Sequence, residues 1–411
     1  MVGISAAFAA ALAVSATAQI VPVAPAPGET FQTLTDAQLK VYAGATRQER
    51  FDILKANADA FATNDWRRQR PLVFKWKTTA TEGGVWRLRL SQSPDFADGE
   101  DLWLEKESVT SEPCGKGKSK VWTAVVPRAN LELGKTYYWQ VWSDVKCRNW
   151  SCGFTYPDKC QCGRTKAGSV SDVFSFKTAD TPPRWIAVEG RVENIRDLGG
   201  WRTADGGRVR TGLVYRGQGL NDNSVAGIRN GRNRLMVEDV AYLAGTLGIK
   251  TDLDLRGPRE VAALAASPLG AGVRFVNVSS ECYKGIFTDN GRKAMAECFR
   301  LFCDRANYPV YFHCIAGADR TGSLAYVLNG LLGVAKEDLE RDWEATFYPR
   351  LTGVENPDYW RSACHFDRGF AKYGKDGDTL QERIRLYLLD CGITEEEIAA
   401  FRGIMAEPAG N

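Results

Sequence analysis

The chain has 411 residues, 44% apolar and 25% charged, with 40 Gly and 16 Pro; this excludes a disordered or fibrous chain and a disulfide-knotted miniprotein, and allows two or three domains. Fifty-three Lys and Arg against 50 Asp and Glu leave a net charge of +3. That balance gives no footing for a nucleic-acid partner or an anionic membrane surface, so an anionic substrate would have to be held locally.

Residues 4–18 are uncharged and end in the small-x-small pattern Ala16-Thr17-Ala18 before Gln19. They predict an export signal over residues 1–18, and with it a secreted or periplasmic location, although Met1-Val2-Gly3 lacks the usual basic flank. No other charge-free run approaches the roughly 20 residues of a membrane span, so no membrane anchor is expected. Residues 19–66 read as a linker, extended by the prolines between Val21 and Gly28, and then a short helical segment starting at Thr35-Asp36-Ala37-Gln38.

Over residues 67–180 the texture becomes short alternating runs, among them Leu72–Lys77, Val85–Leu90, Val121–Val125, Thr136–Trp142 and Val173–Lys177. Period-two alternation in many short runs predicts a β-sandwich. The stretch Leu131-Glu-Leu-Gly-Lys-Thr-Tyr-Tyr-Trp-Gln-Val141 resembles the corner before the sixth strand of a fibronectin type III domain, with Tyr137 as corner tyrosine. An insertion there carries Cys147, Cys152, Cys160 and Cys162 around Trp150. Their spacing is not two copies of Cys-x-x-Cys, so disulfides are expected rather than a metal site. The chain holds 11 cysteines. Ten are expected to pair and one to stay free; five of the ten (with Cys114) fall in the sandwich region and five (Cys282, Cys298, Cys303, Cys364, Cys391) beyond it, so complete pairing needs a bridge between regions.

Thr181-Pro-Pro-Arg184 marks the boundary to residues 181–408, where β-type runs alternate with helical patterns and predict an α/β domain, a central sheet flanked by helices. Tyr308–His313 is strand-like and Gly322–Leu332 helix-like; between them runs His313-Cys-Ile-Ala-Gly-Ala-Asp-Arg-Thr-Gly322. A strand, a tight loop and a helix N-terminus make an anion cradle, in which the backbone of Ile315, Ala316, Gly317 and Ala318 would hold a phosphoryl group. The same geometry lowers a thiol pKa and makes Cys314 the candidate nucleophile. The planar fork of Arg320 can hold two phosphoryl oxygens. None of this chemistry calls for a cofactor.

His-Cys, five residues, then Arg and Thr resembles the signature of the cysteine-dependent protein tyrosine phosphatases. The resemblance implies that Thr321 hydrogen-bonds the sulfur and that His313 orients the loop. Asn194-Ile-Arg-Asp-Leu-Gly-Gly200, Gly206–Arg216 and Asp252-Leu-Asp-Leu-Arg256 before Glu260 resemble the secreted bacterial type, which includes the mycobacterial and listerial virulence phosphatases; the likeness spans about residues 185–405. No Trp-Pro-Asp tripeptide is present, and the resemblance implies Asp319 as general acid and then base, with Asp254 as the alternative. Relatives often carry Lys where this chain has Ala318, which tilts the reading from phosphoinositides toward phosphotyrosine. Arg196 and Arg216, with Asp254, are taken as substrate-side residues, and Arg208 and Arg210 could add charge if they face the cleft. The expected function is an exported phosphatase of phosphotyrosine, or of dual specificity, acting on proteins or peptides through a cysteinyl-phosphate. Two alternatives stand beside it. One is an inositol-phosphate or phosphoinositide phosphatase, against which Ile315 and Asp319 argue. The other is an inactive phosphatase-like binding protein, against which the intact Cys314, Arg320 and Thr321 argue.

Overall fold

A computed structural model describes residues 20–57, 69–78, 85–97, 100–104, 109–114, 119–144, 167–222, 234–348 and 365–409. The expected export signal, the four-cysteine insertion with Trp150, and Cys364 lie outside them. The chain divides into two compact units. One comprises Pro71–Val126 and Lys135–Thr178 with the chain up to Phe31; the other comprises Gln32–Arg70, Pro127–Gly134 and the chain from Ala179.

The first unit is built from β1 (Ile20–Ala24), β2 (Thr30–Phe31), β3 (Leu72–Thr78), β4 (Val85–Ser91), β5 (Glu100–Leu104), β6 (Val109–Pro113), β7 (Lys120–Val126), β8 (Thr136–Asp144), β9 (Ala167–Val170) and β10 (Phe174–Thr178). They form two sheets, ordered β1-β3-β7-β6 and β2-β10-β8-β4-β5, with β9 beside β8. Leu72, Phe74, Trp76 and Thr78 of β3 are buried and alternate with more exposed neighbours, because successive side chains leave a strand on opposite faces. The buried faces meet through aromatic pairs: Phe74 lies 5.1 Å from Trp139, and Trp86 lies 5.1 Å from Trp76 and 5.2 Å from Trp122. The segment read as a linker is, over Ile20–Ala24, an edge strand antiparallel to β3. Prolines signal a linker, but a sheet edge also accepts them, since an outward-facing position needs no N–H for the ladder.

The second unit begins with α1 (Asp36–Ala43) and α2 (Arg47–Ala56). Thr35 caps α1 reciprocally with Gln38, satisfying two otherwise orphaned donors. A five-stranded sheet is made of β11 (Arg196–Asp197), β13 (Val214–Gln218), β14 (Thr251–Asp254), β15 (Arg274–Asn277) and β16 (Val310–Cys314), in the order β11-β13-β16-β14-β15, while β12 (Arg208–Val209) pairs with β17 (Ala406–Glu407). Strands β13, β16, β14 and β15 run parallel and β11 antiparallel. Every residue of β13, β14 and β16 is buried, as expected for parallel strands with helices on both faces. The helices include α3 (Asp289–Leu301), α4 (Asp319–Leu331), α5 (Lys336–Glu344), α6 (Leu380–Asp390) and α7 (Glu395–Met405). Phe299, Phe302, Phe312, Leu324, Leu328 and Phe401 form part of the core they share. Val41, Phe51 and Leu54 of α1 and α2 join Trp343 and Phe347 in a second cluster, each such side chain contributing about 1.5–3 kcal/mol on burial. Buried Arg50 of α2 also grips Glu344 of α5 through two hydrogen bonds, 2.6 and 3.0 Å.

Among the described residues no helix is long and apolar enough to cross a membrane. Cys114, Cys282, Cys298, Cys303, Cys314 and Cys391 are all free thiols, which corrects the expectation that every cysteine but one is bridged. Cys298 packs in the apolar core, and the Cys303 thiol donates to the Phe299 carbonyl at 3.4 Å. Such cysteines serve as small apolar side chains, a use their count cannot reveal.

Candidate active site

Strand β16 lies in the middle of the parallel sheet and ends at Cys314, with His313 in register with Asp254 of β14 and Cys314 with Gln218 of β13. The loop 315–318 then leads directly into α4. This is the carboxyl end of the parallel strands, where open α/β sheets place their ligands. Gly317 has φ +68, and a Cβ there would come within 2.4 Å of the Gly217 backbone, so only glycine lets the loop pass.

Behind the loop, the Asn194 side-chain amide donates to the carbonyls of Ala316 (3.0 Å) and Gly317 (3.1 Å), and Arg216 Nη2 donates to the Gly317 carbonyl at 2.8 Å. Because a trans peptide points its C=O and N–H in opposite directions, carbonyls anchored at the back turn the N–H groups of Gly317 and Ala318 toward the front. Arg196 Nε (2.8 Å) and Arg216 Nη1 (2.5 Å) share the carboxylate of Asp342 on α5, and Arg196 also bonds the Asn194 side chain. Both arginines are fully buried. The structure therefore corrects their assignment as substrate-side residues: they support the loop from behind. Burial, reinforced by the neighbouring Arg196 charge, pushes the Arg216 guanidinium down to about 10 despite Asp342. Arg208 pairs with Asp180 and Arg210 donates to the Ala406 carbonyl, so neither adds charge to the loop.

Burial alone would push the Cys314 thiol up. The neighbouring Thr321, through its hydroxyl and backbone N–H, and the nearby Arg320 charge outweigh it and hold the thiol below its ordinary value, although the Thr321 hydroxyl makes no full hydrogen bond among the described residues. The start of α4 adds its dipole in the same sense. His313 Nε2 donates to Asp252 Oδ1 at 3.0 Å, and Nδ1 lies 3.2 Å from the Cys314 carbonyl. Burial disfavours the imidazolium, but Asp254 and Asp252 overcome it, so the His313 pKa is raised.

Asp254 is buried and doubly bound by Arg256, with Nε 2.9 Å from Oδ1 and Nη2 2.6 Å from Oδ2. Burial opposes ionisation there, yet His313 and Arg256 hold the carboxyl below the usual range. A carboxylate so committed neither stores a proton nor faces a substrate, which corrects the Asp254 alternative.

Arg320 is partly exposed and bonded end-on by Glu260, at 2.7 Å from Nη1 and 3.0 Å from Nη2. Although burial weakens its charge, Glu260 and Cys314 reinforce it and the guanidinium stays fully protonated. Asp319 opens α4, and its carboxyl accepts a hydrogen bond from the Tyr283 hydroxyl. Ile315 and Ala316 are exposed, while Gly317 and Ala318 are buried. Sequence reasoning missed Tyr283 and Asp342 altogether; neither belongs to a local motif. Glu260 and Asn194 lay inside recognised motifs without an assigned task.

Residues 186–352 match the model of the tyrosine phosphatase family. The match contains the loop, α4 and the strands around it, so the likeness falls on the part of the chain that carries the candidate site. A protein of Cupriavidus necator, provisionally named as a tyrosine-protein phosphatase, is 30% identical over 190 residues, covering 38% of this chain and 64% of that protein. The chain thus spans less than two thirds of this relative's length. Among solved structures, the core catalytic domain of the PP-IP phosphatase SIW14 from S. cerevisiae in complex with citrate is 17% identical, with a TM-score of 0.23, covering 39% of this chain and 92% of that one. A second, the Siw14 catalytic core, is 15% identical with a TM-score of 0.23, covering 38% and 87%.

Proposed function

We propose that the chain is an exported phosphatase that hydrolyses phosphotyrosine in proteins or peptides. The observation that carries the reading is the placement of Cys314 at the end of β16, where the glycine-bearing loop leads into α4 and Arg320 and Thr321 follow in its first turn, with the thiol held below its ordinary value. In the first half-reaction the Cys314 thiolate attacks phosphorus. An S–P bond forms, the P–O bond to tyrosine breaks, and Asp319 gives its proton to the departing phenolate oxygen. In the second, Asp319 takes a proton from a water that attacks the cysteinyl-phosphate; the P–S bond breaks and inorganic phosphate leaves. Glu260 takes one N–H from each terminal nitrogen of Arg320, so Nε–H and the second Nη2 hydrogen remain for two phosphoryl oxygens.

The charge distribution supports a single phosphate ester over a polyphosphorylated headgroup. Position 318 is Ala, and the four arginines considered as replacements for a lysine there are engaged elsewhere. We read the two-sheet unit as fibronectin type III-like; the strand orders β1-β3-β7-β6 and β2-β10-β8-β4-β5 in two sheets support that reading.

Turnover of a phosphotyrosine peptide, a phosphoserine peptide, a phosphoinositide and phytate, side by side on purified protein, tests the proposal. Preference for the phosphotyrosine peptide is expected; faster turnover of phytate or phosphoinositide would overturn the substrate assignment, and no turnover of any would favour the binding-protein reading. Export predicts a mature N-terminus at Gln19, read by N-terminal sequencing of protein recovered outside the cytoplasm.

A further inference from the structure

We propose that Tyr283 is a positioning residue for proton transfer, holding the Asp319 carboxyl toward the leaving oxygen. The inference rests on Asp319 being the acid. Tyr283 opens the short turn Tyr283–Phe287 with φ +52, a left-handed backbone that a bulky side chain adopts only where its surroundings impose it. What imposes it is the turn of helix that carries Asp319. The Tyr283 N–H donates to Ser323 Oγ at 3.0 Å, and Ser323 Oγ donates onward to the Asp319 carbonyl at 2.8 Å. The ring packs against Phe366, centroids 5.8 Å apart, and its hydroxyl donates to Asp319 Oδ1. One residue is thus tied to Asp319 twice: through its backbone by way of Ser323, and through its side chain directly.

The direct tie matters because a carboxyl in the first turn of a helix is drawn to that helix's own unpaired N–H groups. A donor on Oδ1 fixes the rotation of the carboxyl and presents its proton in one direction. A residue needed for packing alone would need the ring and not the hydroxyl.

Tyr283→Phe keeps the ring and the backbone and removes only the O–H. It should be assayed beside Asp319→Asn on two aryl phosphates, phenyl phosphate, whose leaving group needs protonation, and p-nitrophenyl phosphate, whose leaving group departs readily without it. Inhibition by inorganic phosphate reports the integrity of the cradle. Asp319→Asn should lose on the order of 100-fold in kcat/KM on phenyl phosphate and far less on p-nitrophenyl phosphate, since kcat/KM reports the half-reaction that expels the leaving group and not the later hydrolysis. Tyr283→Phe should repeat that selectivity at about tenfold, with phosphate inhibition unchanged, since it only misaims the acid. Equal losses on both esters, or weakened phosphate inhibition alongside the loss, would reduce Tyr283 to a packing role. If Asp319→Asn discriminates between the esters and Tyr283→Phe does not, the tether is wrong while the acid stands. If Asp319→Asn does not discriminate either, the acid assignment falls and takes the tether with it.

Discussion

The two units bury different things. Among the described residues, the two-sheet unit hides aromatic rings, Phe74, Trp76, Trp86, Trp139 and Phe176, and its buried polar side chains are uncharged: Thr78, Ser91, Ser171 and Thr178. The α/β unit hides Arg50, Arg196, Arg216, Arg256, Asp254, Asp342 and Glu344. Burying charge costs several kcal/mol per ion unless partners are well placed, so it is a poor way to gain stability alone. Most of these ions stand behind or beside one four-residue loop, through Asn194, Asp342 and His313, and the hypothesis that follows is that they specify its shape. A ring packs equally well in many arrangements; a shared carboxylate accepts few.

Removing the sulfur nucleophile tests the charged region most severely. Cys314→Ser should fold and lose essentially all turnover of a phosphotyrosine peptide, because a serine hydroxyl lacks the acidity that makes the thiolate; wild-type rates would end the proposed mechanism. Arg320→Lys should lose on the order of 100-fold or more, since a point charge cannot hold two phosphoryl oxygens. An unchanged rate would place Arg320 outside the cradle.

Asp342→Ala leaves Arg196 and Arg216 buried without their carboxylate and should destabilise the α/β unit by about 3–5 kcal/mol in denaturant melts, with turnover falling as the loop loses its backing. Phe74→Ala should cost the two-sheet unit a similar 3–5 kcal/mol through lost burial and a cavity, with kcat unchanged under conditions where the protein is folded. If both variants changed turnover equally, the contrast between scaffold packing and loop specification would fail.

A subtler effect is on pH. His313 has a raised pKa in the fold, so its stabilising contribution is fully present below the ordinary value of 6.5 and is lost as pH rises through the raised one. Asp254, with a lowered pKa, contributes stability that is present above its ordinary value of 3.8 and is lost as pH falls through the lowered one. His313→Gln should flatten the decline on the alkaline side and also shrink the acid limb in part, because the His313 charge is the largest influence holding Asp254 down while Arg256 remains; an unaltered alkaline limb would show that His313 is not the group titrating there. Smallest of all is the expected effect of a chelator, which should leave turnover unchanged because thiolate, guanidinium and carboxyl complete the proposed chemistry.

Much of this was legible in residue order, and for a local reason. A strand that ends in Cys, a loop with Gly317 and a helix starting at Asp319 are contiguous, so backbone geometry alone lays His313 to Thr321 around one point. The alternation of Leu72, Phe74 and Trp76 and the capping pair of Thr35 with Gln38 are local in the same sense. What residue order left open is which way a side chain turns once strands are set side by side. Arg196 and Arg216 stand in a recognised motif, yet only the pairing of β11 with β13 and of β13 with β16, and the arrival of Asp342 from α5, put them behind the loop. Asp254 looked available until Arg256 was seen folded back on it. Tyr283 reaches Asp319 across 36 positions of chain and Glu260 reaches Arg320 across 60. Contacts of that range leave no period or spacing in the sequence, because they exist only after the parallel sheet has brought the carboxyl ends of its strands together.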